Sequence, residues 1–149
     1  MKLFRAVVII LCSVFLLTGC SMKWFDKAYE LPDNAQSYVF EKNKDTGSVD
    51  IKIDGKTYSL YGKVKGKMNS DYIRDCLGYV DDNKHIRIYT LVDDSSDNYV
   101  MVLNIREING QVEVYRAMDT WQQDILTPSY IESYNYESWG AAGKLHYEE

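Results

Sequence analysis

Short runs of alternating apolar and polar residues, separated by turn signals, predict a mainly β protein. The expected form is an antiparallel meander curled into a small barrel or sandwich, with at most one or two short helices. Two turns anchor this reading. Asp54-Gly55 separates Val49, Ile51 and Ile53 from Tyr58 and Leu60, and Asn109-Gly110 separates a second pair of strand-like runs. Asp-Gly and Asn-Gly are strong short-range hairpin signals, because both turn residues adopt positive φ.

Taken in order, residues 37–41 (SYVFE) read as a first strand. A two-residue loop at Asp54-Gly55 sets Ile53 opposite Lys56, Ile51 opposite Tyr58 and Val49 opposite Leu60, which puts the apolar residues on one face. A short helix capped by Asn69 or Ser70 is expected to carry Tyr72, Ile73 and Cys76 on one side. Residues 75–80 and 85–92 follow as strands, the second with Ile86 and Ile88 inward. Residues 99–108 form a longer strand, apolar on both faces near its start and therefore central. The Asn109-Gly110 turn then predicts Ile105 opposite Val114, Arg106 opposite Glu113 and Asn104 opposite Tyr115. Residues 120–127 suit a short helix or strand anchored by Trp121, Ile125 and Leu126, which Pro128 ends. Tyr130, Tyr134, Tyr136 and Trp139 follow among polar residues, and residues 144–149 read as a frayed end.

The 149 residues suffice for one domain of ordinary size. A net charge of −5 argues against nucleic acid as a partner. The N-terminus carries an address. Lys2 and Arg5 precede a twelve-residue apolar run, Ala6 to Leu17, interrupted only by Ser13. That run is short of the roughly 20 residues a membrane-spanning helix needs and fits a secretory signal. It ends in Leu17-Thr18-Gly19-Cys20, which resembles the lipobox of bacterial lipoprotein precursors. The resemblance implies cleavage between Gly19 and Cys20 and a diacylglyceryl group on the Cys20 thiol. An ordinary cleaved signal and a retained anchor are the alternatives. The layout that follows is a signal peptide over 1–19, a lipidated tether over 20–36 and a β domain over 37–118. An aromatic-rich C-terminal segment occupies 119–149. Processing leaves 15 basic against 22 acidic residues, so the folded part would not lie on an anionic membrane by charge attraction.

Of the three cysteines, Cys12 lies in the apolar run and Cys20 is the expected lipid site. The mature chain keeps Cys76 alone and has no internal disulfide, so a small buried hydrophobe is the expected role of Cys76. Asp93-Asp94-Ser95-Ser96-Asp97 groups oxygens that a hard cation would favour. It departs from a calcium loop, with Asn98 at the sixth position and Asn104 at the twelfth, and reads better as a hairpin loop. His85 and His146 are too few for zinc. Cys76 with His85 lacks the orienting third group of a catalytic dyad. Gly62-Lys63-Val64-Lys65-Gly66-Lys67 reads as a solvated loop or edge strand. No catalytic motif and no cofactor-binding motif is present. Tyr130, Tyr134, Tyr136 and Trp139 form the candidate binding surface, with packing over the sheet as the competing role. The function expected is a non-catalytic interaction module, lipid-anchored outside the cytosol at the cell or outer membrane. Its expected partner is an envelope protein or a glycan, or a basic hydrolase or toxin that it shields against.

Overall fold

Residues 30–147 are described by the structure, a computed structural model, apart from 46, 67–68 and 107–110. Gly19 and Cys20, the tether residues Trp24 and Phe25, and the Asn109-Gly110 turn lie outside the described residues.

Two antiparallel meanders build the sheet. The first comprises β2 (Phe40–Lys42), β3 (Val49–Ile53) and β4 (Lys56–Val64). The second comprises β5 (Ile73–Val80), β6 (Asn83–Leu91), β7 (Tyr99–Asn104) and β8 (Val112–Ala117). β4 pairs with β8 and joins the two. At the far side β1 (Gln36–Tyr38) runs parallel beside β5, the one parallel pair among the described strands. β1 and β2 end the strand order on opposite sides, yet only Val39 separates them in the chain, so the sheet curls into a nearly closed barrel.

The β5–β6 turn clamps that closure. Asp81 and Asp82 both take positive φ, 51° and 56°, as a two-residue turn of matching twist requires. Asp81 donates its N–H to Tyr38 O (2.8 Å) and accepts the Phe40 N–H at Oδ1 (3.3 Å), while Asp82 N–H reaches Ser37 Oγ (3.1 Å). One turn thus holds the ends of both β1 and β2.

Alternation along the strands makes two cores. Inside the barrel, Ile51, Ile53, Tyr58, Val80, Ile88, Val100, Val102, Tyr115 and Ala117 pack together, flanked by Tyr38 and Phe40. The outer face of β4, β6, β7 and β8 is also apolar, with Tyr61, Val64, Tyr89, Leu91, Tyr99, Met101, Val112 and Val114. The C-terminal segment covers it through α1 (Ser129–Ser133), β9 (Tyr136–Trp139) and α2 (Ala141–Tyr147). β9 pairs with the second half of β4 on the edge whose first half is taken by β3.

A bulge serves both cores. Leu60 faces Tyr115 and Gly62 faces Val114, which leaves Tyr61 as the extra residue of β4. Leu60 therefore packs inward, whereas Tyr61 and the rest of β4 turn their apolar side outward.

The Asp54-Gly55 hairpin has the expected register, Ile53 with Lys56 and Ile51 with Tyr58. Other expectations need correction. The 37–41 run is two strands split at Val39, and pairing begins one residue earlier, at Gln36. The helix near residue 70 is a single 3-10 turn, Ser70–Tyr72, capped by Asn69, and Ile73 and Cys76 belong to β5. β7 stops at Asn104, where the side-chain oxygen takes the Arg106 N–H and Ile105 N–H bonds to His85 O, so the chain turns away. The β7–β8 register is shifted: Leu103 faces Val112, Met101 faces Val114 and Val102 faces Glu113. This register lays four consecutive buried residues, Tyr99 to Val102, against β8, and their burial favours it. Beyond the 3-10 turn Met118–Thr120, residues 121–128 form no regular element. Leu126, expected as an anchor there, is 84% exposed.

Replacing Asp81 by Ala removes the Phe40 acceptor and leaves a left-handed residue without its local hydrogen bonding. The expected cost is about 1 kcal/mol. It should appear as a lower urea midpoint with an unchanged m-value, and an unaltered midpoint would contradict the clamp.

Candidate functional site

Among the described residues, the barrel end where β7 stops and β8 begins is hollow. A cavity of about 190 Å³ lies there, lined by Phe40, Ile86, Val102, Asn104, Gln111 and Glu113. Register explains the lining. Ile86 faces Asn104, Val102 faces Glu113 and Glu113 faces Lys63, so β6, β7, β8 and β4 each send an inward side chain to this end. The walls are apolar and the rim is polar, the usual composition of a small-molecule pocket.

Glu113 is the charged group of the site. One oxygen lies 2.8 Å from Lys63 Nζ, and the other accepts the Tyr115 hydroxyl at 2.8 Å. Tyr115 is 1% exposed, and its ring stacks against Phe40 with centroids 6.0 Å apart. Burial, and next the Glu113 charge, push the Tyr115 phenol far up, so it stays a donor. Sequence reasoning missed this site. It gave Glu113 the wrong cation, Arg106, through the mistaken register. It also placed Lys63 in a solvated loop or edge strand, whereas β4 is paired along both sides. The available signal was the alternation itself, which puts Glu113 and Tyr115 on the same side of β8.

The C-terminal aromatics are brought together, mostly as packing. Tyr130 is 7% exposed, stacks on Tyr72 with centroids 4.1 Å apart, and donates its hydroxyl to Val92 O. Tyr134 meets Tyr130 and Tyr136 edge-on, and Tyr136 donates its hydroxyl to Ile131 O (2.9 Å). Tyr136 also lies against Gly62, where a β-carbon would come within 2.5 Å of its ring, so glycine is required for this approach. Trp139 packs on Tyr136 at 4.2 Å between centroids and keeps 37% of its surface exposed.

The remaining candidates serve the fold. Cys76 pairs with Tyr89 on β6, and His85 lies four residues along that strand, about 13 Å away at the usual rise. Thiol and imidazole are therefore not a dyad, and burial pushes the Cys76 thiol up, away from the reactive thiolate. His146 falls in α2. In the 93–98 loop, Asp94 is 3% exposed and accepts the N–H groups of Asn98 (3.1 Å) and Tyr99 (2.7 Å). Arg74 bonds Asp94 O (3.1 Å) and the Asp97 carboxylate (2.5 Å), and Lys56 bonds Ser96 O (2.8 Å). Donors of the protein itself thus occupy this loop. Among the described residues no helix is long and apolar enough to cross a membrane.

No protein-family model, curated protein or solved structure matches the chain.

Burial raises the Asp94 carboxyl, against the two backbone N–H bonds that favour its charge. Between the ordinary carboxylate pKa of about 4 and this raised value, the folded state binds more proton than the unfolded one. Its contribution therefore gains as pH falls through the raised value and weakens as pH rises. Asp94→Asn should make the slope of unfolding free energy against pH less negative in that window. Urea titrations at a series of pH values check this, and identical slopes would refute it.

Proposed function

We propose that this chain is a lipoprotein of the cell envelope, anchored through Cys20. Its barrel acts outside the cytosol as a non-catalytic protein-interaction module. The observation that carries the reading is Leu17-Thr18-Gly19-Cys20 at the end of a short apolar run with a positive start. Two acyl chains on one residue suit stable anchoring. The barrel adds support of another kind. The Tyr130 hydroxyl, the Cys76 thiol and the Asp94 carboxylate bond within the fold, and the barrel end offers a small pocket with a carboxylate at the rim. Such a pocket suits recognition of a partner's side chain better than turnover. The acidic balance of the processed chain extends the reading to a shield against a basic hydrolase or toxin. Binding of a glycan is the second reading, favoured by the exposed ring of Trp139.

The intact mass of the protein from its native host should show loss of residues 1–19 and acyl addition at Cys20. Cys20→Ala should move it from the membrane to the soluble fraction. Unchanged partitioning would overturn the anchor. Crosslinking in intact cells should capture a protein partner. Fluorescence quenching by cell-wall sugars that Trp139→Ala abolishes would favour the glycan reading instead.

A further inference from the structure

Glu113 is the charged side chain that lines the barrel-mouth pocket. Glu113 already holds one alkylammonium, Lys63 Nζ, at 2.8 Å, and its second oxygen is taken by the Tyr115 hydroxyl at 2.8 Å. A carboxylate oxygen has two lone pairs, so each oxygen retains room for one more donor. A guanidinium binds best by placing two parallel N–H groups on the two oxygens, and that fork must compete with Lys63 at one oxygen and Tyr115 at the other. An ammonium is a compact charge that needs a single lone pair. Below the rim, Phe40, Ile86 and Val102 offer apolar wall to a methylene stem. The volume of about 190 Å³ is some six times the share of one liquid water, about 30 Å³, and takes a chain of five or six heavy atoms. The amide side chains of Asn104 and Gln111 border the same opening.

We infer that this pocket binds a primary alkylammonium at Glu113. Its source is a lysine side chain of a partner protein or a free polyamine. The first source rests on the interaction-module reading above; the second does not. Lys63 is the internal competitor: it offsets the Glu113 charge, and its removal leaves the carboxylate to the incoming group. Lys63 and Glu113 sit opposite one another on β4 and β8, so the pair forms one adjustable contact at the seam between the meanders.

The test titrates the full chain in detergent micelles with N-acetyl-lysine methylamide and with putrescine, following backbone amide NMR shifts. N-acetyl-arginine methylamide, butanol and butyrate serve as controls. Both amines should shift the Val102, Asn104 and Glu113 amides, and the lysine probe should bind more tightly than the arginine probe. Glu113→Gln should weaken amine binding about tenfold or more, the usual effect of losing a charged hydrogen-bond partner. Lys63→Gln, a change at a partly exposed side chain, should strengthen it severalfold. Absence of shifts, equal binding of the controls, or weakened binding in Lys63→Gln would overturn the inference, and this last variant decides if Glu113→Gln fails to fold. Crosslinking in cells separates the two conclusions. A protein captured equally by wild type and Glu113→Gln leaves the interaction module standing and overturns the pocket's part in it. Amine binding with no protein captured keeps the pocket, assigns it to a free polyamine and removes the interaction module.

Discussion

Neither meander has a core of its own. A three-stranded sheet and a four-stranded sheet would each leave both faces wet, and small sheets are marginal without a partner surface. The seam between β4 and β8 changes this, because it turns two ribbons into one curved sheet with an inside. The bulge at Tyr61 lies in that seam. Before it, the inward side of β4 belongs to the barrel interior; after it, the apolar side of β4 belongs to the outer core. A regular strand would pack one core well and the other poorly. A local irregularity in one strand therefore lets a single sheet be apolar on both faces.

Two buried charged side chains, Arg116 and Asp50, are held by hydrogen bonds. Arg116 is 4% exposed, yet it bonds Thr120 Oγ1 (3.1 Å), Thr120 O (2.6 Å) and Gln123 O (3.3 Å), and its guanidinium lies 5.9 Å from the Tyr99 ring centre. It fixes the path by which the chain leaves β8 for the outer face. Asp50, 6% exposed, is likewise held by Asn43 (2.9 Å) and Ser48 (2.8 Å). These buried charges fall where the chain leaves or enters a sheet face, and each is satisfied by hydrogen bonds, as burial demands.

Local chemistry was legible and long-range competition was not. Asp54-Gly55 lies between strands whose apolar residues agree with its register, so turn and pattern gave one answer. At Asn109-Gly110 the turn favoured one register and the four buried residues Tyr99 to Val102 favoured another. Burial prevailed, and the error propagated to Glu113 and its cation. The bulge was hidden because Leu60 and Tyr61 are both apolar and carry no marker of which face each serves. Asn69 marked a cap correctly, but the β-type pattern of Ile73 and its neighbours ended the helix after one turn. The clustering of the C-terminal aromatics was visible; their role in covering a sheet face depended on an apolar exterior that only the assembled barrel reveals.

The outer core has a consequence for biosynthesis. Its sheet side is complete once β8 has emerged, but its lid is made from residues that follow the barrel in the chain: Tyr130, Ile131, Tyr136 and Ala142. A ribosome delivers these after the barrel strands. Until then a broad apolar strip on a nearly finished barrel has nothing to close over it, and such exposed surface is what makes partly folded chains aggregate. Stable folding must therefore wait for these residues, and a chain truncated just after the barrel would be born with its stickiest side open.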